Sequence, residues 1–203
     1  RADIPKKRIV IFSPHPDDDV ISMGGTFDRL VEQGHDVHVA YQTSGNIAVS
    51  DEEALKFAEI SLALNPDSEE SKRLIKLLKH KTDQDIDSPE MLRLKALIRR
   101  SESLAATRYL GLKDSNVHFL NLPFYETGTV KKNNLTQADL DIMCELIEYI
   151  KPHQIYAAGD LADPHGTHKV CLDGLFSSLE ILKTKPYMED CWVWLYRGAW
   201  HEW

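Results

Sequence analysis

Arg8-Ile9-Val10-Ile11-Phe12-Ser13, followed by Pro14-His15-Pro16-Asp17-Asp18-Asp19 and then by Val37-His38-Val39-Ala40-Tyr41-Gln42-Thr43, is the stretch whose reading decides the fold. The first run is short, apolar and ends in a polar loop, the mark of a strand buried on both faces in a parallel sheet. The third run is rich in β-branched residues and reads as a second strand. Between them, Val20 to Gln33 has helical periodicity and stops at Gly34. Strand, helix and strand together make a βαβ unit, which implies a right-handed crossover between parallel neighbours.

The same alternation continues outward. Val117–Leu120, Gln154–Ala158 and Cys191–Tyr196 read as further strands. Thr136–Ile150 and Thr167–Leu182 read as the helices that connect them. The exception is a largely helical excursion between the second and third strands, at about 46–98. It covers periodic stretches at Asp51–Leu64, Ser68–His80 and the start of Ser88–Leu110. Ser50-Asp51-Glu52-Glu53 and Ser88-Pro89-Glu90 are helix-start patterns, and Gly111 is suited to the end of the last helix. The predicted fold is α/β: a three-layer α/β/α sandwich around a mainly parallel sheet, with a helical insertion after the second strand.

The 203 residues suit a single domain. Net charge is −8, from 24 Lys and Arg against 32 Asp and Glu, which argues against a general nucleic-acid binder. No apolar run approaches the roughly 20 residues needed to span a bilayer. Cys144, Cys171 and Cys191 are odd in number and widely spaced, so they read as reduced packing thiols of a cytoplasmic protein. Trp192, Trp194, Trp200 and Trp203 are expected to pack a core or a domain contact rather than line a sugar site. The missing initiator Met, and an end at Trp200-His201-Glu202-Trp203 straight after a strand, read as a piece of a longer polypeptide.

In open parallel sheets ligands bind at the carboxyl ends of the strands. Two polar clusters fall there: Ser13 to Asp19 after the first strand, and Asp160 to His168 after the fourth. In the first, a His followed three residues later by an Asp lets one loop offer an imidazole and a carboxylate, both standard zinc ligands. Asp17, between them, is free to lie over a metal-bound water. Helix capping by the three carboxylates would explain Asp18 or Asp19, but not His15 or the two prolines that stiffen the turn. In the second cluster, His165 and His168 are three apart at a helix start and share a face. Alone, that spacing also fits two surface histidines. Met23-Gly24-Gly25-Thr26 is not the G-x-G-x-x-G turn of a dinucleotide site.

Pro14-His15-Pro16-Asp17-Asp18-Asp19 with Gly24-Gly25-Thr26 resembles the HPDD signature of the LmbE-like, or PIG-L, N-acetylglucosaminyl deacetylases, whose fold is Rossmann-like. Asp163-Pro164-His165-Gly166-Thr167-His168 resembles their later HxxH. Arg99-Arg100-Ser101-Glu102, with Ala105-Ala106, Leu110-Gly111 and Phe119-Leu120, resembles their middle signature. The resemblance implies His15, Asp18 and His168 as ligands of Zn²⁺ or another divalent transition metal. It implies Asp17 as general base, His165 as oxyanion stabiliser or proton donor to the leaving amine, and Arg99 near the substrate. Read without it, Arg99 is a helix-surface residue paired with Glu102. The implied reaction is hydrolytic removal of an N-acetyl group from an N-acetylglucosamine-type amino sugar or its phosphate.

Asp19 stands where Glu is usual, Gly166-Thr167 replaces the common Pro-Asp, and the excursion at 46–98 is longer than the family's short link. The long insertion and the ending Val193 to Trp200 further resemble the deacetylase-type domain fused to a glucosamine-6-phosphate deaminase-like domain, a covalent partner in amino-sugar metabolism. Two alternatives stay open: a non-catalytic or regulatory sugar-binding domain attached to such an enzyme, and a Mg²⁺ or Mn²⁺ phosphoesterase.

Overall fold

A computed structural model describes residues 5–82, 84–129, 131–159 and 166–198. Five strands, β1 (Arg8–Ser13), β2 (Asp36–Tyr41), β3 (Val117–Phe119), β4 (Gln154–Ala158) and β5 (Trp192–Tyr196), form one sheet in the order β3-β2-β1-β4-β5, every pairing parallel. The helices are α1 (Asp18–Glu32), α2 (Asp51–Leu64), α3 (Glu69–His80), α4 (Pro89–Tyr109), α5 (Gln137–Ile150) and α6 (Thr167–Leu182).

The period-two alternation of β1 produces the layers. Val10 and Phe12 point to one face, where Met143, Ile147 and Ile150 of α5 and Cys171, Leu175 and Leu179 of α6 cover them. Ile9 and Ile11 point to the other, against Met23, Phe27 and Leu30 of α1, with Leu110 and Leu112 beyond the end of α4. Central strands buried on both faces carry no polar alternation, which is why β1 reads as a continuous apolar run.

From β1 the chain steps outward to β2 and β3, then returns to place β4 on the opposite side of β1. The switch point therefore lies between β1 and β4, where a crevice opens at their carboxyl ends. His15 follows β1, and His168 lies in the first turn of α6, which follows β4.

The insertion has its own apolar centre of Val49, Ala54, Ala58, Leu74, Leu78, Met91 and Ile98. Its helices start as the sequence predicts: the hydroxyls of Ser50, Ser68 and Ser88 accept hydrogen bonds from the N–H groups of Glu53, Ser71 and Met91. An ionic cluster ties it together. The buried Lys95 ammonium on α4 lies 2.6 Å from Asp51 at the head of α2 and 2.7 Å from Asp87. Lys81 pairs with the same two carboxylates. Position 98, the expected end of the insertion, falls inside α4: Met91 and Ile98 belong to the insertion's core, whereas Ser103 and Thr107 are buried against the sandwich.

Trp192 and Trp194 are 67 % and 50 % exposed on the edge strand β5, which excludes core packing for these two and leaves the domain contact as their expectation. Trp200 and Trp203 lie outside the described residues. No helix among the described residues is long and apolar enough to cross a membrane.

Candidate metal centre

The turn after β1 is fixed by its own polar atoms. Ser13 Oγ donates to the His15 carbonyl at 2.6 Å, and the Asp17 N–H donates to that carbonyl at 2.8 Å. The end of β2 holds it from the side: Gln42 N–H donates to Ser13 O, and the Thr43 N–H and hydroxyl both donate to Pro14 O. Helix α1 begins at Asp18, two residues earlier than the periodicity predicts, because Asp18 and Asp19 turn inward rather than capping. Asp17 occupies the cap position, but its side chain makes no capping bond.

Asp19 is completely buried and anchors the turn. It accepts from Tyr41 Oη at 2.9 Å and from Ser13 Oγ at 3.3 Å. Burial pushes its carboxyl up to about 6, and the hydrogen bonds from Tyr41, the Val20 and Asp19 backbone and Ser13 offset part of that cost.

Three donor atoms then converge across the switch point. His15 Nδ1 is 3.2 Å from Asp18 Oδ2 and 3.2 Å from His168 Nε2, and His168 Nε2 is 3.1 Å from Asp18 Oδ2. The His15 backbone N–H donates to the same Asp18 oxygen at 2.9 Å. Burial pushes the Asp18 carboxyl up, but its hydrogen bonds to His15 and His168 and their positive field outweigh it and hold it well below the usual carboxylate range. It is the one such His/Cys/Asp/Glu cluster among the described residues.

The donor set fits a divalent transition metal. Tetrahedral N/O ligands at ~2.0–2.1 Å from zinc lie roughly 3.3 Å apart, close to the edges of this triangle. Side-chain exposure of 2 % at His168 and 22 % at His15 leaves the cluster buried on one side and accessible on the other, as a site with an open coordination position requires.

The remaining predicted residues divide. Asp17 stays out of the triangle; its Oδ2 is 2.7 Å from Arg99 Nη2. Arg99 also reaches Glu102 at 3.4 Å, so the helix-surface pairing exists but is the longer contact. Ser103, one turn on, donates from its buried hydroxyl to Pro16 O at 2.7 Å. Helix α4 thus grips two consecutive residues of the turn. Gly45, at φ +64°, lets the β2 loop pass close by: a Cβ there would sit 2.7 Å from Pro16 Cδ and 3.3 Å from Arg99 Nε. His165 lies outside the described residues.

Residues 10–177 match the family pattern of PIG-L, described as GlcNAc-PI de-N-acetylase. The chain belongs to the PIG-L family. A protein of Bacteroides thetaiotaomicron described as a putative glucosamine-6-phosphate deaminase-like protein is 52 % identical over 214 residues, which take in all of this chain and 32 % of that protein. The chain thus spans about a third of the relative's length. The N,N'-diacetylchitobiose deacetylase of Pyrococcus horikoshii superposes with a TM-score of 0.57 at 19 % identity, over 90 % of this chain and 53 % of that one. The 4-carboxy-2-hydroxymuconate hydratase GalB of Pseudomonas putida KT2440 reaches 0.55 at 20 %, over 90 % and 59 %. Neighbours this distant share the fold, and a hydratase stands among them, so for this PIG-L member the chemistry must be argued from the site.

Four residues near or beyond the centre escape a reading by motif. Tyr125, 3 % exposed, presents its ring to His15 with centroids 6.0 Å apart. Lys132 Nζ lies 4.0 Å from the centre of the Tyr125 ring. Both belong to the loop after β3, and the rule that ligands gather at carboxyl strand ends is the only signal that marks it. His38 and His118, which no sequence motif surrounds, meet across β2 and β3 with ring nitrogens 2.9 Å apart. Burial holds both imidazoles below the usual histidine range, His118 at about 4.

Proposed function

We propose that this chain is a zinc-dependent hydrolase that removes the N-acetyl group from an N-acetylglucosamine-type amino sugar or its phosphate. One observation carries the reading: His15, Asp18 and His168 converge into a three-donor triangle, while Asp17 stands beside it without joining it. Two imidazoles and one carboxylate favour zinc over the harder Mg²⁺. When bound, the ion supplies Lewis acidity, lowering the pKa of water toward ~7 and polarising the acetyl carbonyl.

The chain's own groups do the rest. Asp17 takes a proton from the attacking water as its oxygen bonds to the acetyl carbon. His165 steadies the negative oxygen and protonates the leaving nitrogen as the C–N bond breaks, giving acetate and a free amine. Arg99, paired with Asp17, is the residue proposed to meet the substrate beside the base. The Bacteroides relative, of which this chain covers 32 %, is described as glucosamine-6-phosphate deaminase-like, which supports a covalently attached deaminase-like domain as the expected partner. A cytoplasmic setting belongs to the same reading, with Cys144, Cys171 and Cys191 not joined to one another by disulfides.

The test is acetate release from N-acetylglucosamine and its 6-phosphate, with and without a chelator, alongside metal analysis by mass spectrometry. Release that stops on chelation and returns with zinc is the expected result. Stoichiometric zinc with no release from either sugar would overturn the reading and leave a sugar-binding module.

A further inference from the structure

The loop after β3 carries a cation against the aromatic ring that neighbours the candidate metal ligand His15. Lys132 Nζ is 4.0 Å from the centre of the Tyr125 ring, which is itself 6.0 Å from the centre of the His15 ring. The ammonium is therefore separated from a metal ligand by one aromatic ring.

Lys132 is half-buried and donates to the Thr129 carbonyl at 3.2 Å. Among the described residues, no carboxylate lies within ion-pair distance of it. Burial pulls its ammonium below the ordinary lysine value, and Glu126 offsets this only in part. Glu126 is engaged elsewhere, accepting from Asn46 Nδ2 at 2.9 Å. An ammonium partly removed from water without a counter-charge is costly by itself and is relieved by an anionic ligand.

The insertion keeps that loop in place. A Cβ on Gly128 would sit 3.3 Å from Ile86 Cγ2 and 3.3 Å from Leu92 Cδ1, so the loop lies directly on the insertion. The Thr127 hydroxyl donates to Lys131 O at 2.8 Å and closes the turn just before Lys132. These contacts set the backbone on either side of Lys132 against the insertion, and a positioned cation favours point-charge recognition of a phosphate.

We propose that Lys132 is a specificity residue of this site and that it selects an amino sugar bearing a phosphate monoester remote from the amide. The inference rests on the amino-sugar reading above. The test compares wild type, Lys132→Ala and Lys132→Arg on N-acetylglucosamine and N-acetylglucosamine 6-phosphate, with Lys113→Ala as a control. A parallel calorimetric titration uses glucosamine and glucosamine 6-phosphate. Wild type is expected to prefer the phosphate ester at least tenfold in kcat/KM and in affinity. Lys132→Ala should cut both preferences tenfold or more, Lys132→Arg should retain most of them, and Lys113→Ala should leave them unchanged. The same preference in wild type and Lys132→Ala, or no preference in wild type, overturns the role of Lys132. If wild type releases acetate from neither sugar, the deacetylase reading fails, and the binding arm alone decides whether Lys132 holds the phosphate.

Discussion

Gly45→Ala puts the packing of the candidate base to a quantitative test. Gly45 has φ +64°, a conformation that costs an L-residue about 1–2 kcal/mol. Its added Cβ would also lie 2.7 Å from Pro16 Cδ, whereas ordinary contact begins at 3.4 Å, so the ring or the β2 loop must retreat by about 0.7 Å. Pro16 is rigid and is held through its carbonyl by Ser103, so the movement passes into Asp17. A displacement near 1 Å of a catalytic group costs up to about 10²-fold in rate. The expected result is a kcat lower by about 10- to 10²-fold with bound zinc unchanged. Gly34→Ala isolates the backbone cost, because Gly34 has φ +80° and nothing within 4 Å of the added Cβ. It should lower Tm by a few degrees, as ~1 kcal/mol does in a chain of this size, and leave kcat intact. Scanning calorimetry, acetate release and metal analysis read the three quantities. Gly45→Ala with wild-type kcat, or with a Tm loss no greater than that of Gly34→Ala, refutes the claim that close packing at Gly45 sets the base.

Three further outcomes follow from named contacts. Asp17→Asn should lower kcat by about 10²–10⁴-fold with zinc retained, whereas Asp18→Ala should lose the zinc, as metal analysis of the purified variants will show. Lys95→Met leaves the half-buried Asp87 with only Lys81 and should destabilise the chain by about 1–2 kcal/mol in urea, while Lys56→Ala, at an exposed pair with Glu53, should stay within ~0.5 kcal/mol. Asp51 gives a pH signature. Burial raises its carboxyl, but Lys81 and Lys95 outweigh that and leave it below its ordinary value in the folded chain. Its contribution is then complete above the unfolded carboxylate range, ~3.9, and fades as pH falls through the lower folded value. The stability difference between wild type and Asp51→Asn should be flat near neutrality and shrink below about pH 4.

Local physics made the frame legible. β1 and β4 are apolar because both their faces are covered, and three serines cap their helices through the next turn, so pattern and capping reveal these elements without tertiary knowledge. The His15-to-Asp18 spacing is legible for the same reason: one tight turn presents both side chains. Contacts decided by where elements cross are not. His38 and His118 lie 80 positions apart, and only the register of β2 on β3 brings them together. The exposure of Trp192 and Trp194 depends on β5 being an edge strand, which its composition does not announce.

Helix α4 shows why the middle of the chain resisted such a reading. Its first half packs into the insertion through Met91 and Ile98, and its second half reaches Asp17 and Pro16 through Arg99 and Ser103. A sequence motif marks Arg99, but the identity of its partner depends on how far α4 extends past the turn after β1. The insertion contributes to setting that position, through Lys95 on α4 and its carboxylate partners at the head of α2 and in the loop after α3. The length of chain between β2 and β3 is therefore not neutral decoration on a family fold. It helps to set two neighbours of the candidate site: the helix that holds the candidate base Asp17 and the loop that carries Lys132. Changes in the insertion should register in substrate choice before they register in metal binding, because His15, Asp18 and His168 all hang from the β1 turn and α6, elements the insertion does not carry.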